Sequence, residues 1–196
     1  MTSLNILERC ALIDFTDLPR VGFRGVDAAA WLGERGYQLP EAPNRALPQG
    51  DGVLVARLSQ TEYLLLGSLR DAGARIAAEE AYWQFGEAAN YLLPRQDSHA
   101  WLLLTGACGP EVLAKLCGVD LRPAAFPVGA VAQTSAARIN VIVVNLGALP
   151  VPRLPARMLR FPCRHPNKIR QSHDRQSLHH TYQHINRLTD HRSQGL

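Results

Sequence analysis

The chain has 196 residues, 46 % of them hydrophobic, enough for one well-covered core with at most a modest appendage. Its formal net charge of +4 is unevenly placed: residues 151–196 hold nine Lys and Arg against Asp174 and Asp190, while the first 150 residues carry a net negative charge. The main body therefore offers no general attraction to phosphate backbones, and no apolar run approaches the roughly twenty residues that cross a bilayer.

Four cysteines, at positions 10, 108, 117 and 163, stand far apart without a CxxC pair. Glu8 and Arg9 interrupt the N-terminal apolar stretch, so it does not read as a signal peptide, and a reduced, cytoplasmic setting is expected.

In chain order, Leu12 to Phe15 and Val21 to Phe23 read as short strands around the turn Asp17-Leu18-Pro19. Asp27 is placed to cap a helix over Ala28 to Glu34, closed by Gly36. Prolines 40, 43 and 48, with Asn44, Gly50 and Gly52, mark a loop. Val53 to Leu58 and Tyr63 to Leu66 read as a buried hairpin turning at Ser59-Gln60-Thr61-Glu62.

Asp71 is placed to cap a second helix, ended by Gly86, whose Ile76, Ala77 and Trp83 share a face that leaves Arg75, Glu79 and Glu80 largely outside. His99 to Leu104 has apolar residues in both alternating sets, as an interior strand should. Gly109-Pro110-Glu111 opens a third helix with proline in its first turn and an acid near the positive end of the dipole. Val112, Leu113, Leu116 and Cys117 form its predicted apolar stripe, closed by Gly118. Strands follow around Ala130 to Thr134 and Ile139 to Val144.

The order strand, helix, strand, strand, helix thus occurs once before residue 90 and restarts at 98. It predicts an α+β fold with sheets covered by helices on one face. The second round reads as incomplete, because prolines 150, 152, 155 and 162 stand where a further helix and strand are expected. From Pro162 onward apolar residues are too sparse to offset the entropy of ordering, which predicts disorder.

Six of the seven histidines fall in this tail, and His180 and His184 have the i,i+4 spacing that metals use, with Cys163 and His165 as further donors. No second fixed pair and no apolar shell would orient them, so no metal site is assigned. Asp97, Ser98 and His99 are adjacent; neighbours in a strand point to opposite faces, which argues for a strand-start role over nucleophilic chemistry. Cys108 and Cys117 read as packing thiols.

Gln133, Thr134 and Arg138 are polar groups on or beside a buried strand and need partners, which a structural hydrogen-bond network or a ligand would supply; the network is the favoured reading. Asn44 and Arg45 read as a loop or a subunit contact, and Trp31 and Trp83 as core residues with a part in an interface, while Trp101 reads as core. No catalytic centre, cofactor-binding residue or dinucleotide-binding GxGxxG run is identified.

The run from Leu113 to Arg138, together with Asp97-Ser98-His99-Ala100-Trp101 and the opening Leu18-Pro19-Arg20-Val21-Gly22-Phe23-Arg24-Gly25, resembles the gamma subunit of heterotetrameric sarcosine oxidase in order and spacing. The resemblance spans roughly the first 145 residues. It implies the aminomethyltransferase-like, folate-binding fold of the glycine-cleavage T protein, with ferredoxin-like strand-helix repeats and here an incomplete C-terminal part.

It implies an accessory, non-catalytic subunit packed against alpha, in a complex that demethylates sarcosine to glycine and forms hydrogen peroxide and methylenetetrahydrofolate. FAD, FMN, NAD, tetrahydrofolate and a delta-bound zinc would lie on the alpha, beta and delta partners. A stand-alone folate binder of the same fold is the alternative, and a basic-tailed RNA-binding protein a further rival. Relatives of this fold that maintain iron–sulfur clusters carry a Lys-Gly-Cys-x-x-Gly-Gln-Glu run, which this sequence lacks. The expected division is 1–150 for the gamma-like domain and 151–196 for a basic, His-rich tail, either genuine and disordered or an out-of-frame reading.

Overall fold

The hairpin of β4 (Leu54–Arg57) and β5 (Glu62–Leu66) is apolar on both faces, so each face needs a covering layer. Leu54, Ala56, Leu64 and Leu66 point one way, into a cluster that also holds Trp101, Val131 and Val144 from later in the chain. Val55, Tyr63 and Leu65 point the other way, onto a cluster with Ala28, Leu32 and Ile76. Two sheets packed face to face with helices outside satisfy both demands.

The computed structural model describes residues 9–148 and 155–162. Its elements follow the order β1 (Ala11–Asp14), β2 (Arg20–Arg24), α1 (Ala28–Glu34), β3 (Arg45–Pro48), β4, β5, α2 (Ala74–Tyr82), β6 (Tyr91–Pro94), β7 (His99–Thr105), α3 (Gly109–Leu116), β8 (Val131–Ala136), β9 (Ile139–Ala148) and β10 (Pro155–Pro162).

One sheet has the order β3-β4-β5-β2-β6 and the other β8-β9-β10-β7-β1, with antiparallel pairing throughout. Position by position, β7, β8, β9 and β10 repeat β2, β3, β4 and β5. The edge place of β6 is taken in the second sheet by β1, from the other end of the chain. The corresponding edges β3 and β8 meet: Ala46 N–H donates to Gly129 O at 2.7 Å and Val131 N–H to Asn44 O at 2.9 Å. Beneath α3, a third cluster buries Leu104, Leu113, Cys117, Leu121, Phe126, Val141 and Val143.

The helices and most strands stand where the residue pattern predicts them, with corrections that have physical causes. The two strands around the turn Asp17-Leu18-Pro19 are present but enter different sheets: Ala11–Asp14 pairs with β7, whereas Arg20–Arg24 pairs with β5 and β6. The proline-marked loop contains β3, whose Pro48 stands at a sheet edge, where a missing donor is tolerated. Strand β6 lies in a stretch without a predicted element, and β10 occupies the place where the second repeat reads as incomplete.

Asp27 makes no side-chain cap; its carboxylate accepts from Ala89 N–H at 2.7 Å instead. Asp71 does hold the start of α2, accepting from Gly73 and Arg75 N–H at 2.9 and 3.0 Å, but that helix stops at Tyr82, ahead of Gly86. Glu79 is buried, contrary to its predicted outward face, because Arg35 and Tyr37 reach it across the helix interface. Leu116, placed on the apolar stripe of α3, is 41 % exposed, and Leu113 is the residue fully covered. The tail residues Cys163, His165, His180 and His184 and the expected disorder after Pro162 lie outside the described residues.

Candidate functional site

Where the edges of β3 and β8 part, the seam between the two sheets opens into a cleft of about 400 Å³. The first sheet and its loops contribute Leu58, Glu62 and Arg95; the second contributes His99, Gln133, Thr134 and residues 140–142. Gln133 and Thr134, singled out in the sequence as polar groups needing partners, do meet there. Arg138, the third of that group, sits in the β8–β9 turn with φ of 66° and does not line the cleft.

Several polar groups of the cleft are already bonded, while Arg95 Nε is buried with no hydrogen-bond partner among the described residues. Gln133 Nε2 donates to Leu58 O at 2.6 Å and to Asn44 Oδ1 at 3.0 Å, tying the second sheet to the β4–β5 turn and to the loop before β3. Arg95 Nη2 donates to Glu62 Oε1 at 2.8 Å, and Arg24 lies 3.9 Å from the other carboxylate oxygen. Asn44 therefore has a contact role within the chain, joining the sheets.

Ser98 and His99 do meet, against the expectation from strand alternation: Ser98 Oγ is 2.8 Å from His99 Nδ1. Ser98 precedes β7 and sits in the turn, so opposite-face geometry does not apply to it. Its hydroxyl also faces the carbonyls of Pro94 and Arg95 at 3.3 and 3.4 Å, and Asp97 is exposed. This is the bonding of a turn residue rather than of an activated nucleophile.

Below the cleft lies a group with no sequence signal beyond its place in Leu18-Pro19-Arg20. Arg20 is fully buried, and its guanidinium donates to Thr16 O at 2.7 Å, Leu18 O at 3.0 Å, Gln96 O at 2.8 Å and His99 O. It fixes the crossing from β1 to β2 against the turn that leads into β7.

A second polar group braces the outer layer of the first sheet. Glu79 receives the Arg35 guanidinium and the Tyr37 hydroxyl, while Arg75 pairs with Asp51 and lies 4.0 Å from the Tyr37 ring. Burial, followed by the negative charge of Glu79, pushes the Tyr37 hydroxyl well above its usual pKa, so it stays protonated. For Asp51, burial raises the pKa, but the bonds from Arg75 and Val53 N–H outweigh it and hold the carboxyl below its ordinary value. Among the described residues no group of three His, Cys, Asp or Glu is arranged to hold a metal ion, and no helix is long and apolar enough to cross a membrane.

A folate-type ligand, which the alternative of a stand-alone binder requires, is poorly served by the cleft. Gln133 has spent its amide hydrogens, Glu62 is held by Arg95, and among the described lining residues there is no Phe, Tyr or Trp face for a fused ring to stack on. What the arrangement does well is hold two sheets in fixed register.

No family model matches the sequence. Over 133 residues the chain is 33 % identical to the sarcosine oxidase subunit gamma of Corynebacterium sp. (strain P-1), a match covering 65 % of this chain and 63 % of that relative. The matched region thus spans less than two thirds of the relative's length. In structure the chain is similar to the heterotetrameric sarcosine oxidase from Corynebacterium sp. U-96 in complex with pyrrole 2-carboxylate, with a TM-score of 0.62, 24 % identity, and coverage of 78 % of this chain and 75 % of that one. It is also similar to the glycine cleavage system aminomethyltransferase T of Bartonella henselae, with a TM-score of 0.55 and 16 % identity, covering 81 % of this chain and 44 % of that one. At these identities the structural likeness establishes the fold, which is the aminomethyltransferase-like one that the sequence implies. The resemblance to a sarcosine oxidase gamma subunit rests on the sequence match.

Proposed function

We propose that the chain is an accessory, gamma-type subunit of a sarcosine oxidase complex and works by protein contact rather than by chemistry of its own. The observation that carries this is the 33 % identity to a sarcosine oxidase subunit gamma, over 133 residues. The cleft supports it, because Gln133 braces the two sheets through Leu58 O and Asn44, and Glu62 is held by Arg95.

On this reading the partners are the alpha, beta and delta subunits, which hold the flavins, NAD, folate and zinc, and the assembly is cytoplasmic. Residues 1–150 form the gamma-type domain, with 151–196 as a basic appendage. The complex would convert sarcosine to glycine with formation of hydrogen peroxide and methylenetetrahydrofolate.

The test is co-expression of this chain, carrying an affinity tag, with the alpha, beta and delta subunits from the same source. The expected result is a co-purified yellow complex that produces peroxide from sarcosine, while the chain alone has neither flavin absorbance nor turnover. Purification of the three other subunits as a fully active complex that never retains this chain would overturn the reading. Saturable, micromolar binding of tetrahydrofolate to the isolated chain would favour the alternative, a stand-alone folate binder, for which the cleft volume is the supporting observation.

A further inference from the structure

A subunit that acts by contact needs a surface for it, and one side of the first sheet exposes aromatic area that a free monomer has no use for. Phe85 is 78 % exposed, Val26 74 %, Tyr82 64 % and Tyr91 48 %. Local packing gathers them. The rings of Phe85 and Tyr91 lie 6.4 Å apart, and Trp83 Nε1–H donates to Asn90 O at 3.1 Å, folding the loop after α2 back toward β6. Asp27 closes on the same loop through Ala89, its own N–H donating to the Ala89 carbonyl at 3.2 Å. Tyr82 lies 4.1 Å over the Arg35 guanidinium, beside a groove of about 440 Å³ between Trp31 and Trp83.

This patch adjoins β6, the outer strand of its sheet. Exposed aromatic area next to an open sheet edge invites association, and aromatic side chains are the usual anchors of protein interfaces. The charges beside it in the chain decide the occupant. Asp27, Glu80 and Glu87 adjoin it, and no Lys or Arg occurs between Glu79 and Tyr91. Of the nearby cations, Arg35 is paired with Glu79, while Arg24, opposite Tyr91 in the ladder and 65 % exposed, offsets one of these three acids and leaves the border acidic. An apolar centre with an acidic border complements an apolar ridge flanked by Lys or Arg.

We infer that Val26, Tyr82, Phe85 and Tyr91 form the surface on which the alpha subunit docks, through an apolar ridge bordered by basic residues. This rests on the reading of the chain as an accessory subunit and adds to it the face that meets the partner and the chemistry of the contact.

The experiment measures binding of this chain to the co-expressed alpha subunit at two salt concentrations. The variants are Phe85→Ser combined with Tyr91→Ser, Glu80→Lys combined with Glu87→Lys, and, as a control on exposed apolar positions elsewhere, Leu12→Ser combined with Val128→Ser. The aromatic pair is expected to weaken binding at least thirtyfold. The charge reversal, which leaves the apolar residues intact, is expected to weaken it about tenfold at low salt and less at high salt, and the control is expected to bind like the parent. Parent-like binding by both the aromatic and the charge-reversed variants would overturn the docking surface and leave the accessory-subunit reading standing. Failure of the parent chain itself to bind the alpha subunit would overturn both.

Discussion

Arg20 shows how a charge is held inside this protein. It is fully buried, and four backbone carbonyls receive its guanidinium, so its removal leaves those acceptors unmet away from the surface. Arg20→Met should lower stability by about 3 kcal/mol or more, read as a shift of the urea midpoint at unchanged slope. An unshifted midpoint would mean that the carbonyls find other donors. Gly22, two residues on, is tied to a neighbour as well: a Cβ there would meet Arg95 Nε at 3.0 Å and Leu93 Cβ at 3.1 Å, so a side chain would press on Arg95 where it crosses β2 toward Glu62. Both residues stand in the opening family-like segment, where one-dimensional reading registers their presence but not their task. The exposed pair Asp120 and Arg122 also belongs to such a segment; the bonds from Arg122 hold the Asp120 carboxyl down to about 2 and fix a local turn.

At the scale of elements, α3 separates pattern from packing. Its stripe was legible in the sequence, but a helix of eight residues has too few turns to show which stripe residue lies at the centre of the buried face. Leu113 is fully buried among Leu104, Val141 and Val143, whereas Leu116 lies at the rim. Leu113→Asp should abolish the folded domain, because an unpaired buried carboxylate costs several kcal/mol, while Leu116→Asp should cost only about 1 kcal/mol. Thermal melts of the two variants side by side decide this, and equal losses would contradict the placement of the helix.

The buried Glu79 on α2 teaches the same lesson, since its partners Arg35 and Tyr37 come from a segment about forty residues away that no local periodicity reveals. The neighbouring pair Asp51 and Arg75 predicts a pH dependence. Because the folded-state pKa of Asp51 is depressed, its contribution is present above the unfolded value of about 3.9 and is lost as pH falls through the lower folded value. The stability gap between the parent and Asp51→Asn should therefore be constant from about pH 5 to 7 and shrink below about pH 4. A gap that grows on acidification would show that the pair does not form.

For the whole molecule, the sequence carried the repeat of strand, helix and strands, but not the way its two copies complete each other. Edge strand β1 enters the second sheet from the far end of the chain, and β10, besides following β9 as a hairpin, pairs with the distant β7, so neither pairing to β7 is visible locally. The cleft was legible only as Gln133 and Thr134 in want of partners; Leu58 and Arg95 reach it from the first sheet, and His99 from β7, which β9 and β10 separate from β8. Strand β10 gives the sharpest test of this architecture. It pairs with β7 from Ala156 to Pro162 and with β9 from Pro155 to Met158, and without it β7 and β9 have no ladder joining them. A chain ending at Gly147 should then keep the first sheet with its helices but lose cooperative folding of the second, exposing Leu104 and Val143 and aggregating on concentration. A chain ending at Pro162 keeps every described ladder and should melt in one transition. If the shorter chain melts as the longer one does, β7 and β9 pair directly and the two sheets do not repeat one strand order.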